Sequence, residues 1–241
     1  PADGLNALHD KMGIERAVIV QASCHDKDNR AALDAIAKRP GRYLGIAMVG
    51  LDVDDDELDF LNKGGIRGIR FNFVRHLGGA PDLDAFKSLV GRIEPLGWHL
   101  ILHLDAQDIV DYADLFASLS LHLVIDHMGR VPAADGLDQE PLRVLRQFLT
   151  NDNVWVKISG PERCSATGHP FSDAVPIARA LIETAPDRML WGTDWPHPNM
   201  GPDGAPDDGH LVDLVAQYAP DEAQRQKLLV DNPKRLYGFT D

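Results

Sequence analysis

Sulfur is scarce in this sequence: its 241 residues include two cysteines, Cys24 and Cys164, set far apart. That excludes a disulfide framework, and a reducing cytoplasm is the simplest setting. No apolar run approaches the roughly 20 residues needed to span a bilayer, and no secretory signal opens the chain. Basic charge is also short, with 24 Lys and Arg against 37 Asp and Glu, a formal net charge of −13. General nucleic-acid and anionic-membrane binding need a basic face, so neither is expected. The expected partner is a small molecule. If it is an anion, a few focused arginines must overcome the overall field. Phosphate-cradling loops of the GxGxxG or GxxxxGK[ST] type are missing too, which weakens a nucleotide-binding open sheet. Nothing in the pattern sets an oligomeric state.

What the chain does have is alternation. Short apolar runs predict strands over Ala17–Ala22, Tyr43–Val49, Ile66–Phe73, His99–Leu104, Leu121–Asp126, Val154–Ser159 and Met189–Gly192. Several are nearly continuous Val, Ile and Leu, as parallel strands buried on both faces require. Amphipathic spacing predicts helices between them: Asn29–Lys38 with Asp28 as N-cap, then Leu83–Ile93, Ile109–Leu119, Pro141–Leu149, Val175–Thr184, Leu211–Tyr218 and Asp221–Val230. The chain also enters directly on a helix. No linker or low-complexity tract divides it, so one domain over residues 1–241 is expected. Seven strands fit either an open doubly wound sheet or a (β/α)8 TIM barrel lacking its first strand. The barrel reading explains the polar residues at strand ends, where barrels place their chemistry. Pro1 is no natural initiator, so further residues are expected upstream.

Those strand ends carry Ser23, Arg70, His103, Asp126, His127, Arg130, Arg163 and Asp194. A carboxylate and an imidazole beside a water can act as general base and carbonyl polariser. The same groups could bind zinc with an open position for water. Arginine forks suit carboxylates, although an arginine after a strand can equally cap a helix. Asp126 is read either as a site residue or as a structural carboxylate. His9, His122 and His210 read as surface or helix residues, His99 as a residue of the opposite, stabilising face. Cys24 and Cys164 read as ordinary small residues.

The blocks VIVQASCHDKDNRAALDAIA, GGIRGIRFNF, VIDHMGR, WGTDWPHPNM and NPKRLYGF together resemble the amidohydrolase superfamily. WGTDWPH marks its amidohydrolase-2 group. The other blocks narrow the likeness to the lactonase branch that hydrolyses 2-pyrone-4,6-dicarboxylate. The resemblance, from Ile14 to Phe239, implies a (β/α)8 barrel and ring opening to 4-oxalomesaconate or its enol in bacterial degradation of lignin-derived aromatics. It implies Asp194 as the group that activates water and His127 as the one that polarises the lactone carbonyl. It also implies Arg70, Arg130 and Arg163 as holders of the substrate carboxylates, with Ser23 touching substrate. The family's first strand carries an HxH pair that this chain does not contain, so it is expected upstream.

Two departures matter. His103 stands where a pyrone hydrolase that works without a metal carries a tyrosine. A histidine on that strand is a ligand position in metal-dependent relatives. The expectation is therefore no cofactor, with zinc held by His103 and Asp194 as the alternative. An arginine expected a few residues after RFNF is replaced by His76, with Arg75 one place earlier. Arg75, His76, His103 and His197 are carried as substrate contacts. The competing functions are a zinc-dependent lactonase for sulfomuconolactone or a sugar lactone, a muconate-type decarboxylase, and a non-catalytic aromatic-acid binding protein.

Overall fold

The seven apolar runs become β1 (Ala17–Val20), β2 (Tyr43–Ala47), β3 (Ile66–Asn72), β4 (His99–His103), β5 (Leu123–Ile125), β6 (Val154–Ile158) and β7 (Met189–Trp191). The computed structural model describes residues 2–198, 200 and 204–240; Asn199, in the WGTDWPHPNM block, lies outside them. All seven strands run parallel in one sheet, each beside its neighbour in sequence, with β1 and β7 as the edges. The sheet curls into a TIM-barrel-like α/β fold. No eighth strand occurs among the described residues. Strands end a residue or more short of the apolar runs, where the chain turns into the loops that follow. Beyond β1, for example, the Gln21 amide donates to the carbonyls of Asp26 and Asp28 at 3.0 and 2.8 Å.

The helices are α1 (Ala2–Met12), α2 (Arg30–Lys38), α3 (Asp55–Lys63), α4 (Leu83–Ile93), α5 (Ala106–Asp111), α6 (Ala113–Ala117), α7 (Glu140–Phe148), α8 (Val175–Thr184), α9 (Asp208–Tyr218), α10 (Glu222–Gln226) and α11 (Asn232–Tyr237). None of them is long and apolar enough to cross a membrane. Three differ instructively from the sequence pattern. Asn29, not Asp28, precedes α2; its side chain ties down Met48 through both backbone groups, while Asp28 grips Arg30. The expected Ile109–Leu119 helix breaks at Tyr112, whose backbone leaves the helical region. The acidic segment DDELD hides α3, which buries only Leu58 and Leu61 and is started by the Asp54 cap on the Glu57 amide at 2.8 Å.

Each strand alternates between two cores, as its period of two demands. Leu100, Leu102, Leu123, Ile125, Val154, Val156, Ile158 and Met189 pack with the helices. Ile46, Ile101, Val124, Trp155 and Leu190 form a separate inner cluster with Tyr237 of α11. That helix closes the N-terminal end: Tyr237 meets the His99 ring edge-on at 4.9 Å, and Arg235 covers Trp155 at 5.0 Å. Asn232 fixes α11 by donating to the carbonyls of Pro186 and Met189. Further along the same inward positions the residues turn polar: Arg70 and Asn72 on β3, His103 on β4, Asp126 after β5, then Lys157 and Ser159 around the end of β6. The barrel interior is thus apolar at one end and charged at the other.

Candidate active site

The chain leaves β5 through an unusual turn. His127, Met128, Gly129 and Arg130 all have left-handed φ angles, between 49° and 65°. For non-glycine residues this costs on the order of 1 kcal/mol each, so surrounding contacts must hold it. Met128 is fully buried, and the Cys164 thiol donates to the His127 carbonyl at 3.6 Å. The turn delivers His127 and Arg130 together to the polar end of the barrel. Asp194, three residues past β7, also has a left-handed φ of 67°, and its carbonyl accepts from the His197 amide at 2.7 Å.

Asp194 and His127 meet: Oδ1 lies 3.6 Å from Nε2. The other carboxylate oxygen of Asp194 accepts from Arg163 twice, from Nε at 2.9 Å and Nη2 at 2.5 Å. His127 Nε2 also faces Asp126 Oδ2 at 3.4 Å, while its Nδ1 lies 3.0 Å from Ser159 Oγ. With two carboxylates facing Nε2, the favoured tautomer carries its proton there, and Ser159 donates to Nδ1. Burial pushes the His127 pKa down to about 4, against the pull of Asp126 and Asp194. His127 is therefore a neutral donor at pH 7. Gly160 is required beside it: its φ is 59°, and a Cβ there would sit 2.7 Å from His127 Nδ1.

Asp126 is fully enclosed, with Lys157 Nζ at 2.8 Å and Arg70 Nε at 3.8 Å. Burial would raise its pKa, but His127 when protonated, Lys157 and Arg70 outweigh it and hold the carboxyl well below the usual range. Both sequence readings of Asp126 thus meet in one residue, a structural ion partner that borders the site. His103 packs edge-on against His127 with ring centres 5.4 Å apart, and its Nδ1 lies 3.0 Å from Asn72 Oδ1. Asn72 in turn donates to Ser23 Oγ at 3.2 Å. Burial, with Arg70 adding to it, pushes the His103 pKa down to about 2, so the ring is neutral. Because Asn72 Oδ1 can only accept, Nε2 of His103 is left as an acceptor.

The sequence-predicted residues therefore divide. Asp194, His127, Arg163, His103, Arg70 and Ser23 form one continuous network with Asp126. Arg130 stands beside it: its charge acts on His103, while its Nε faces Asp105 at 3.4 Å. His197 is buried but turns its Nε2 to Asp208 Oδ1 at 3.3 Å, at the start of α9. Arg75 and His76 are exposed on a 3-10 turn, and only the Arg75 amide reaches inward, to Asp105 at 3.4 Å. Lys157, Ser159 and Asn72 stand at strand ends and so face the mouth from sequence alone, but sequence reasoning gave them no role, and it passed over Glu162. Strand parity was the available signal: Asn72 shares the face of Arg70, and Lys157 and Ser159 share the face of Trp155. Cys164 is buried and its thiol is pushed up to about 12 by burial, in keeping with its reading as an ordinary small residue rather than a nucleophile.

Zinc was the alternative cofactor. The lone pair of His103 Nε2 suits a metal. The carboxylates do not: Asp126 is paired with Lys157 and Arg70, and Asp194 with Arg163. Among the described residues no three His, Cys, Asp or Glu side chains converge as a ligand set. These residues by themselves do not fit zinc.

The tautomer argument makes a prediction. Ser159→Ala removes the donor to His127 Nδ1 and frees the ring to place its proton on the wrong nitrogen. A loss of about ten-fold in kcat, with KM nearly unchanged, is expected from steady-state kinetics.

A family model described as Amidohydrolase matches residues 1–239. The chain is 45% identical to 2-pyrone-4,6-dicarboxylate hydrolase of Comamonas testosteroni, over 97% of this chain and 79% of that protein. It is 42% identical to 4-sulfomuconolactone hydrolase of Rhizobium radiobacter, over 99% of this chain and 80% of that one. Among solved structures, a probable 2-pyrone-4,6-dicarboxylic acid hydrolase of Acinetobacter baumannii with citric acid bound superposes with a TM-score of 0.86. It is 27% identical and covers 99% of this chain and 89% of its own. With a family model spanning nearly its whole length and relatives this similar, the chain belongs to the amidohydrolase family.

Proposed function

We propose that this protein is a lactonase that hydrolyses 2-pyrone-4,6-dicarboxylate to 4-oxalomesaconate or its enol, in the cytoplasm of a bacterium that degrades aromatic compounds. One observation carries the reading. Arg70 Nε, Arg130 Nη1 and His103 Nε2 are three of the buried polar atoms around the Asp194–His127 contact with no hydrogen-bond partner among the described residues; the others there are carboxylate oxygens of Asp126 and Glu162, which lie within ionic reach of Lys157 and Arg163. Unsatisfied buried groups are costly, and here two of the three are cationic donors. A small ring bearing carboxylates supplies what they lack. The relatives named for dianionic lactones support the same substrate class, as does the citric acid in the Acinetobacter structure.

The chemistry then runs through this chain's own groups. Asp194 takes a proton from water through Oδ1, the oxygen that Arg163 leaves open. The resulting hydroxide attacks the lactone carbonyl carbon. The neutral His127 donates from Nε2 to the carbonyl oxygen as it becomes an oxyanion, where a pre-aimed donor lowers the barrier most. The carbonyl re-forms, the ring C–O bond breaks, and the ring oxygen departs as an enolate. Arg70 and Arg130 hold the carboxylates so that the carbonyl meets the water, which supplies several kcal/mol of positioning, while Arg163 is taken up by Asp194 rather than by the substrate. The reaction needs no metal on this reading; its support is the ion pairing that already occupies Asp126 and Asp194.

The test is the loss of ultraviolet absorbance of 2-pyrone-4,6-dicarboxylate, with and without prior chelation. Equal, rapid loss in both is expected. Loss only without chelator makes the enzyme metal-dependent and His103 a ligand. The 42% identity to 4-sulfomuconolactone hydrolase favours 4-sulfomuconolactone as a second substrate to run beside it. Hydrolysis of that lactone alone would move the assignment to it.

A further inference from the structure

Glu162 follows β6 in the 3-10 turn Pro161–Arg163, and its side chain is 3% exposed. Neither carboxylate oxygen has a hydrogen-bond partner on another described residue, and the backbone amide of Glu162 itself is the one backbone group that favours the charged form. An acid buried in this way is expensive unless it has a task. Its nearest cation is Arg163, whose Nε lies 3.6 Å from Glu162 Oε1. The same Nε donates to Asp194 Oδ2 at 2.9 Å. One guanidinium therefore lies between two carboxyl groups, bonded to one and within ionic reach of the other. The remaining groups that face Glu162 are His197 beyond β7, and Cys164 and Tyr218, whose thiol and hydroxyl are both held protonated by burial. Burial pushes the Glu162 carboxyl up, and Asp194 pushes the same way, as expected for two acids competing for one cation.

We propose that Glu162 is a positioning residue that acts through Arg163, receiving the guanidinium when Asp194 becomes neutral during turnover. The inference rests on the reading of Asp194 as the base. When water gives its proton to Asp194, that carboxyl loses its charge and most of its hold on Arg163. The guanidinium keeps its charge in a poorly solvated site and needs an anion. Glu162 supplies one without any other group moving in. Its own bonds are unchanged: the proton passes from water to Asp194, and the hydroxide oxygen passes to the carbonyl carbon. Without Glu162, Arg163 resists each protonation of Asp194, so the cost falls on the chemical step rather than on binding.

Two measurements test this. In pyrone hydrolysis, Glu162→Gln should lower kcat about ten-fold with KM changed less than about two-fold, and Glu162→Asp should recover most of the loss. Wild-type kcat in Glu162→Gln, or an aspartate variant no better than the glutamine one, overturns the proposal. The second measurement needs no substrate. Asp194→Ala removes both the charge and the acceptor of the base, and the Arg163 Nε–H can be followed by NMR in protein labelled with 15N-arginine, assigned through Arg163→Lys. In Asp194→Ala this proton should remain protected from solvent exchange, held by Glu162. In the double variant with Glu162→Leu it should exchange freely. Equal protection in both overturns the proposal even if the lactonase reading is correct. The expected pattern upholds it even if another lactone proves to be the substrate.

Discussion

Asp194→Asn is expected to lower kcat by about 10³-fold while KM changes only a few-fold. The amide keeps the shape and one acceptor for Arg163, so the substrate pocket and its cations persist. What disappears is the open oxygen that takes the proton from water. General-base contributions span about 10² to 10⁴. The middle of that range applies here because, among the described residues, no other carboxylate beside His127 is free to substitute. Asp126 is the nearest alternative, lying 3.4 Å from the same His127 nitrogen. It is held by Lys157 and Arg70 as a permanent anion that is hard to protonate, which makes it a poor base. The measurement is steady-state kinetics on the pyrone, with binding of the intact substrate followed separately by equilibrium dialysis. A variant with near-normal kcat would remove Asp194 from the role. A variant that no longer binds substrate would make it a clamp residue instead.

Much of this site could be read from the sequence, and the parts that could not share one cause. Position along each strand placed the visible polar residues: His103 closes HLILH and packs against His127, while His99 opens it and packs against Tyr237 at the other end. Parity in VWVKIS puts Trp155, Lys157 and Ser159 inward. The end of that strand marked Lys157 and Ser159 as facing the barrel mouth, but gave neither a role. Their roles depend on which groups stand across the barrel, on β5 and its turn, and sequence spacing does not report distance across a barrel. The same limit hid Glu162, which follows a proline in what reads as a surface turn. Arg75 and His76 show the opposite error. Their spacing after RFNF suggested the site, but the 3-10 turn they form carries both side chains to solvent. The helices fared best where apolar periodicity ran unbroken, as in Leu83–Ile93 and Val175–Thr184. They fared worst where acidic residues covered a short buried stripe, as in α3.

Lys157→Met should destabilise the fold by about 3 kcal/mol, a loss of about 10 °C in melting temperature for a chain of this size. The lysine lies inside the barrel with its ammonium 2.8 Å from Asp126 Oδ1, and the carboxylate is 1% exposed. Methionine fills the same volume but leaves that anion short of its closest partner. Arg70 at 3.8 Å offsets only part of the loss. The pH dependence has a definite sign. Asp126 is held below its unfolded pKa in the native protein, so its contribution is complete above the ordinary aspartate range. It is lost as pH falls below that range. In the variant the carboxyl moves back up, and acid unfolding should begin at higher pH than in the wild type. Asp126→Asn on the Lys157→Met background removes the stranded charge, and stability should recover by at least half of the loss. That recovery is what separates a buried ion pair from a lysine that merely fills space, because a packing loss would survive the second substitution unchanged. Differential scanning calorimetry of the wild type and the two variants between about pH 2 and 8 reads both effects. A Lys157→Met protein as stable as the wild type at every pH would show that Arg70 alone holds Asp126.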